Sequence, residues 1–294
     1  MSSAPKPENS VDHFPQFTHV IDVVSNIVYL FFPSTGKSHR LQISKREPLS
    51  GITSVSVGGE TIYIFGGLSP SVVNSLSVKD LLSHIPRPLV PRAHLHFPRA
   101  VPTLIPYRSS IYAIGGFLNH GLSFEDLFCC ERYDSSIDRW VTLPPLGKIR
   151  SNTAGRVMCG FVYVTGTAKE YDEVVVERMD TLDESAGWEA VICKNNAMAR
   201  IQSGLCQTGE HELMLFGGGG NGNTGFKCYT INVGQSGAAR MKERRIVTER
   251  YVGNTYFGED QVIFMGRMYA IDKRNFVVYM CELETLTWKT TDLR

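Results

Sequence analysis

Short runs of apolar residues alternate along the chain with turns that are rich in Gly, Asp, Ser and Pro. Five of these runs reach a glycine, and successive glycines lie 49, 51, 51 and 49 residues apart. They are Gly66, Gly115, Gly166, Gly217 and Gly266. A period of about 50 residues is typical of propellers and related arrays, in which each unit is a small sheet packed against its neighbours. The pattern therefore predicts an all-β ring.

The unit from Arg99 to Leu146 shows the pattern most clearly. Gly, Asp, Ser and Pro divide it into four predicted strands, at Val101 to Ile105, Ile111 to Ile114, Phe128 to Tyr133 and Trp140 to Leu143. A glycine pair ends the second strand. We expect glycine there because the backbone must turn beneath a packed neighbour, where a Cβ would collide or φ must be positive.

This unit resembles the kelch repeat, in which an apolar strand closes on Gly-Gly and a Tyr is followed seven residues later by a Trp. The corresponding residues are Gly115, Gly116, Tyr133 and Trp140. Neighbouring units match less well, because Thr167 and Arg267 interrupt two of the glycine pairs and only Trp188 and Trp288 repeat the tryptophan. The resemblance implies a kelch-type β-propeller.

We expect six blades of four-stranded antiparallel sheets, with residues 1–17 as an N-terminal tail and residues 18–294 as the propeller. Thr18 to Val24 and Ile27 to Ile43 supply three strands of the first blade. Two arrangements stay open for its inner strand. Either the first blade lacks that strand, or residues 8 to 17 provide it.

Composition narrows the classes of function. The 294 residues carry a formal net charge of +1, and 20% of them are charged, which does not favour nucleic acid or an anionic membrane as a partner. The seven cysteines form no CxxC pair, which is typical of reduced intracellular thiols. The first nine residues lack an apolar signal core, and no run of 18 apolar residues follows. We therefore expect a cytoplasmic protein without a membrane span.

Arginines recur with nearly the same period as the glycines. Arg99, Arg150, Arg200 and Arg250 each precede a predicted inner strand. In a ring they would share one level near the axis and attract an acidic or phosphorylated segment of a protein partner. Tyr107, Asn152, Gln202 and Tyr251 flank the same turns and complete the predicted partner-binding set. The structural alternative is that each arginine pairs with an acid of its own blade, such as Glu131 or Glu177.

Motifs for catalysis or metal binding are weak. His94 and His96 share one face of a strand, but no third ligand has a suitable spacing. An E-x3-D-x3-H iron pattern retains Asp80 and His84 but has Leu76 in the first place. GxSxG and HExxH motifs are absent, and the glycines at 217–220 are not followed by GK[ST]. The sequence predicts no metal, no cofactor and no catalytic residue.

The main functional prediction is therefore a non-enzymatic platform that binds a protein partner across the arginine face. Kelch propellers often serve as substrate receptors of ubiquitin ligases, a role that would here require a separately encoded adaptor. The alternative is an enzyme acting on a small molecule or carbohydrate, with its site in the axial channel. A deep pocket with convergent polar side chains would favour the enzyme over the platform.

Overall fold

The fold was analysed in a computed structural model of the chain. The structure describes residues 16–43, 52–66, 69–83, 88–117, 128–147, 151–167, 173–195, 203–217, 227–234, 239–244, 247–248, 262–272 and 276–293. These residues form six predominantly antiparallel sheets that are arranged as the blades of a β-propeller. The prediction of an all-β propeller with six blades is confirmed.

Each blade is built from strands that are consecutive in sequence. Blade 1 contains β1 (Thr18–Asp22), β2 (Ile27–Phe32) and β3 (Lys37–Gln42). Blade 2 contains β4 (Thr53–Val57), β5 (Thr61–Phe65), β6 (Val73–Ser77) and β7 (Val90–Arg92). Blade 3 contains β8 (Thr103–Tyr107), β9 (Ser110–Ile114), β10 (Cys130–Asp134) and β11 (Arg139–Leu143).

The other three blades follow the same order. Blade 4 contains β12 (Ser151–Met158), β13 (Phe161–Thr167), β14 (Glu173–Asp180) and β15 (Glu189–Asn195). Blade 5 contains β16 (Ser203–Gly209), β17 (Glu212–Gly217), β18 (Lys227–Val233) and β19 (Ala239–Arg244). Blade 6 contains β21 (Val262–Phe264), β22 (Arg267–Asp272), β23 (Val277–Glu282) and β24 (Thr287–Asp292), with β20 (Val247–Thr248) paired parallel to β24.

Helical structure is sparse among these residues. The α-helix α1 (Val78–Leu82) follows β6, and its N-terminus is capped by the Ser77 hydroxyl, which accepts a hydrogen bond from the Asp80 backbone N–H. A 3-10 turn spans Glu184–Ala186. Within the described ranges, no helix has the length and apolar character needed to cross a membrane.

The hydrophobic core lies between the blades. The described residues form six apolar clusters, and each cluster joins two neighbouring blades. One cluster joins blade 6 to blade 1 and so closes the ring, with Phe31 stacked near Tyr269 and Tyr29 against Phe276. As described, blade 1 has three strands, and the tail residues 1–15 that could complete it lie outside the described residues.

The first strands of blades 2 to 5 surround the axis and run in one direction. Each begins beside the glycine step of its own blade, as Thr53 pairs with Phe65 and Thr103 with Ile114, and each ends in the hairpin to the second strand. We call these two levels the glycine end and the hairpin end of the ring. Inner strands pack so closely that a Cβ on Gly155 of β12 would overlap Ile105 of β8.

The fifth glycine step is an exception to the predicted repeat. Gly266 does not end a second strand, because Met265 and Gly266 form the hairpin turn that joins β21 to β22. Both residues have positive φ, as a tight hairpin of this kind requires. Trp288 pairs with Cys281 as Trp140 pairs with Tyr133, which places Asp272 where blade 3 has Gly115. The 49-residue interval before Gly266 is therefore coincidental.

Candidate functional site

The candidate site is built around the axis, and Arg99 marks its glycine end. Arg99 lies in the segment that leads from blade 2 into β8, and its side chain is completely buried. It passes directly beneath the glycine pair of blade 3. A Cβ on Gly116 would lie 2.7 Å from the Ala100 carbonyl oxygen and 3.2 Å from Arg99 Cδ, and φ at Gly116 is +102°. Glycine is therefore needed at this step to make room for the arginine stem.

The terminal nitrogens of the Arg99 guanidinium contact groups of blade 3. Its Nη2 donates to Glu131 Oε2 at 2.6 Å and to the Ala113 carbonyl at 3.2 Å, and Nη1 contacts the Cys129 side chain. Glu131 is also fully buried, and its Oε1 accepts from the His96 backbone N–H at 2.7 Å. This buried ion pair fixes the interblade segment to β10 through both terminal guanidinium nitrogens, while Arg99 Nε has no hydrogen-bond partner among the described residues.

The acidic half of this arrangement recurs in blade 4 at Glu177. Glu177 is 1% exposed and sits in β14 where Glu131 sits in β10, and its Oε2 accepts from the Gly147 backbone N–H at 3.0 Å. The structural alternative for the arginines is therefore what the structure shows for Arg99 and Glu131. Arg150, Arg200 and Arg250 lie outside the described residues.

Of the flanking residues in the predicted set, Tyr107 is the one whose side chain is described, and it lies away from Arg99. Tyr107 ends β8 at the hairpin, so the five-residue strand separates it from the glycine end by about 13 Å. The Arg108 guanidinium lies 5.2 Å from the Tyr107 ring centroid. Asn152 is the second residue of β12, and only its backbone position is described. Gln202 and Tyr251 lie outside the described residues.

Neither candidate metal pattern is completed by the described residues. His96 Nδ1 lies 3.1 Å from Thr142 Oγ1 and 3.5 Å from Glu131 Oε1, a carboxylate that already holds Arg99. Asp80 lies in α1 at the outer edge of blade 2, and His84 is outside the described residues. In the described parts of the chain, no three His, Cys, Asp or Glu side chains are grouped so that they could hold a metal ion.

A cavity of about 500 Å³ opens at the outer edge of blade 2. It lies where β7 pairs only with the first half of β6, so that Leu76 and Ser77 have no partner residue in β7. Its polar lining consists of Thr61, Ser75, Ser77, Asp80 and Arg92. Arg92 Nε donates to Ser75 Oγ at 2.8 Å, which fixes the arginine along the wall. Because it is remote from the inner strands, this cavity is not part of the axial site.

A serine and a histidine meet at the inner edge of the interface between blades 1 and 2. Ser54 is the second residue of the inner strand β4, and His19 is the second residue of β1. His19 Nε2 lies 3.0 Å from Ser54 Oγ, and the two residues are 2% and 5% exposed, respectively. An imidazole in this position can exchange a proton with a hydroxyl group in surroundings that exclude bulk water.

Sequence reasoning missed this pair, because the two residues are 35 positions apart and belong to different blades. The only signal is the hydroxyl residue at the start of the inner strands. Thr53, Thr103, Ser151 and Ser203 begin the inner strands of four consecutive blades. Together these residues make the glycine end of the ring rich in hydroxyl-bearing positions.

Comparisons with known proteins identify the fold and leave the family open. No protein-family model matches the chain, and no curated protein matches it. Among solved structures, the chain is similar to a fungal alcohol oxidase of the AA5 family in complex with copper, with a TM-score of 0.57 and 14% identity. The alignment covers 94% of this chain and 61% of the oxidase chain, so this chain spans about three-fifths of that protein's length. At this level of identity the likeness shows the fold.

These findings correct the main functional prediction. A non-enzymatic platform was inferred from a propeller without recognised catalytic motifs, but a propeller that aligns with nearly the whole chain is an enzyme. The physical basis of the platform also weakens, because the Arg99 guanidinium is neutralised by Glu131 inside the blade. The prediction of a non-enzymatic binding platform was therefore wrong.

Proposed function

We propose that the chain is an enzyme that acts on a small hydroxylated molecule, an alcohol or a carbohydrate, at the glycine end of the ring axis. The observation that carries the proposal is the 3.0 Å contact between His19 Nε2 and Ser54 Oγ beside the inner strands. Likeness in fold to an alcohol oxidase across 94% of the chain supports it. Carbohydrates and alcohols are bound through hydrogen bonds, which the Ser54 hydroxyl and the His19 imidazole can provide.

The proposed roles follow from the geometry of the pair. His19 acts as the general base through Nε2, and Ser54 Oγ holds that nitrogen in position until a substrate hydroxyl takes its place or joins the contact. Low exposure of the pair strengthens each hydrogen bond by excluding water.

Copper is part of the fungal oxidase complex. Among the described residues, no three His, Cys, Asp or Glu side chains are grouped so that they could hold it. We therefore assign no step to copper in this chain, and the proposal rests on the protein's own hydroxyl and imidazole groups.

The test is a panel of primary alcohols and monosaccharides, with turnover followed by mass spectrometry of the products. Wild-type protein should convert at least one compound, and Ser54→Ala and His19→Gln should each lower kcat/KM by about 100-fold, the usual size of a general-base contribution. Ser38→Ala, on the exposed outer strand of blade 1, is the matched control and should leave kcat/KM unchanged. Turnover that survives in Ser54→Ala and His19→Gln would refute the proposed site.

We also propose that the blades belong to the kelch type. In blade 3 the predicted signature residues act as a unit: the Tyr133 and Trp140 rings lie 5.1 Å apart, and Trp140 Nε1 donates to the Ala93 carbonyl at 2.8 Å. Trp188 Nε1 likewise donates to the Pro144 carbonyl at 2.9 Å. These two contacts tie an outer strand to the segment that precedes its blade, and they support a shared repeat. A cytoplasmic location is proposed on the free thiols of the described cysteines.

A further inference from the structure

Two hairpin turns of neighbouring blades meet at the hairpin end of the ring, opposite the Ser54 level. Cys159 lies in the turn between β12 and β13, and His211 lies in the turn between β16 and β17. Cys159 has a φ of +50°, a backbone region that cysteine rarely adopts. Both side chains reach solvent, and His211 is 46% exposed. A thiol and an imidazole are thus brought together on an accessible surface near the axis.

The Cys159 thiol lies beside the His211 imidazole, as a nucleophile lies beside its general base. Cys159 Sγ lies 3.5 Å from His211 Nδ1 and donates to the Glu210 carbonyl oxygen at 3.0 Å. The other nitrogen of the imidazole, His211 Nε2, lies 3.9 Å from Glu210 Oε1. The carbonyl fixes the sulfur but cannot stabilise a thiolate. Loss of the thiol proton therefore depends on its transfer to the imidazole.

Other described cysteines differ from Cys159 in their surroundings. Cys130, Cys206, Cys228 and Cys281 are buried in the interblade clusters. Burial raises the pKa of each of these thiols, to about 12 for Cys206 and Cys228. Cys129 is partly buried and contacts the Arg99 guanidinium, which is already paired with Glu131. Within the described residues, Cys159 alone combines exposure with a histidine partner.

We infer that Cys159 is a covalent modification site that reacts with small disulfides, with His211 as its base. His211 Nδ1 takes the thiol proton, and Cys159 Sγ attacks one sulfur of R–S–S–R. A Cys159–S–S–R bond forms, the original disulfide bond breaks, and the leaving R–S⁻ takes the proton from His211. The exchange moves two electrons between sulfurs and needs no further oxidant. This site is independent of the proposed axial chemistry at Ser54.

Charged and titratable groups face this site from both blades. Blade 5 contributes Glu210 with His211, and blade 4 contributes Tyr163, Arg178 and Glu189. Arg178 is paired with Glu189 and stacks on the Phe161 ring, with 4.5 Å from its guanidinium carbon to the ring centroid. Burial raises the pKa of Tyr163, so that phenol stays neutral when the thiol reacts. The group positioned to accept the thiol proton is therefore His211.

The experiment measures the reaction of the full chain with an aromatic disulfide, 5,5′-dithiobis(2-nitrobenzoate), and then with oxidised glutathione, by absorbance and intact mass. At pH 7 the wild type should show a fast phase of one thiol, and Cys159→Ser should abolish it. His211→Gln should slow that phase by about tenfold or more, because the base is lost. The rate of His211→Gln should rise with pH and approach the wild-type rate in alkali, where solvent removes the proton.

Matched variants separate base chemistry from loss of structure. His94→Gln changes an exposed histidine far from the turn and should keep the wild-type rate. Glu210→Gln keeps the carbonyl contact and should change the rate by less than about threefold, since Glu210 is 88% exposed. Equal rates for wild type and His211→Gln at pH 7 would overturn the assignment. So would a fast phase that persists in Cys159→Ser. Neither outcome bears on turnover at Ser54.

Discussion

Two polar clusters of the ring each contain a glutamate, in opposite settings. At the glycine end, Arg99 and Glu131 are both fully buried and joined at 2.6 Å, and they make further hydrogen bonds to the backbone of blade 3 and of the segment that precedes it. At the hairpin end, Cys159, His211 and Glu210 are exposed and held by longer contacts of 3.0 to 3.9 Å.

The difference lies in what each cluster can still do. Burial of an ion pair is costly unless further hydrogen bonds compensate it, and a pair without solvent exposure cannot be reached by a ligand. Exposed groups contribute little to stability, but they can gain or lose a proton and can be reached by a second molecule. The buried cluster therefore stabilises the fold, whereas the exposed cluster can exchange protons and react with a second molecule.

The largest effect should come from breaking the buried pair. Glu131→Ala leaves the Arg99 charge without a carboxylate and should lower the free energy of unfolding by about 3 to 5 kcal/mol. The measurement is urea-induced unfolding. Glu282→Ala is the matched control, because it removes the acid of an exposed pair with Arg267 and should cost much less stability. Equal losses in the two variants would contradict a structural role for Arg99 and Glu131.

The glycine that admits the Arg99 stem should come next. Gly116→Ala adds a Cβ 2.7 Å from a carbonyl oxygen at a φ of +102°, and should cost about 2 to 3 kcal/mol. Gly36→Ala, at a φ of +63° with open space around the new Cβ, tests the backbone strain alone and should cost about 1 kcal/mol. Thermal unfolding of both variants would measure the difference. A smaller loss for Gly116→Ala than for Gly36→Ala would exclude the close approach.

At the hairpin end, a change to Cys159 should stabilise the chain. Cys159→Asn places a residue that tolerates positive φ in the turn and should raise the free energy of unfolding by about 0.5 kcal/mol. The same variant should lose the fast reaction with disulfides. Denaturant unfolding gives the first value and the disulfide assay gives the second. A destabilised Cys159→Asn would mean that the thiol contacts with Glu210 and His211 contribute to the fold.

The smallest effect concerns Asp138, a carboxylate that is exposed like the second cluster but hydrogen-bonded like the first. Asp138 accepts from the Ala93 backbone N–H at 2.9 Å and from Tyr133 OH at 2.6 Å, and these bonds hold its pKa below the ordinary value. A lowered pKa stabilises the fold above about pH 4, and that contribution is lost as pH falls through the folded value. The unfolding temperature should therefore fall less steeply with acid in Asp138→Asn than in wild type, and parallel curves would contradict this.

The sequence predicts blade 3 well because local rules agree there. The glycine pair, Tyr133 and Trp140 each perform a packing role that their spacing implies, and four strands form close to the predicted bounds. Blade 6 shows the limit of periodicity. A glycine suits both a strand end and a hairpin turn, so the interval alone cannot distinguish Gly266 from a glycine step.

The contacts of the candidate sites depend on pairs that are distant in the chain. Cys159 and His211 are 52 residues apart, and His19 and Ser54 are 35 apart. Neither pair has a motif, because hairpins and strands of different blades bring the two members together. Arg99 shows the reverse case. Its periodic recurrence with other arginines predicts an exposed binding surface, but its side chain is buried.

The contact between blades 6 and 1 has a thermodynamic consequence. Each of the other five interblade contacts joins sheets that follow one another in sequence, whereas this contact joins β1 to β22, some 250 residues later. Closing so long a loop costs about 2 kcal/mol more entropy than closing one of about 20 residues. The aromatic contacts at this seam must offset that cost. We therefore expect the circle to be completed last during folding and to open first on heating.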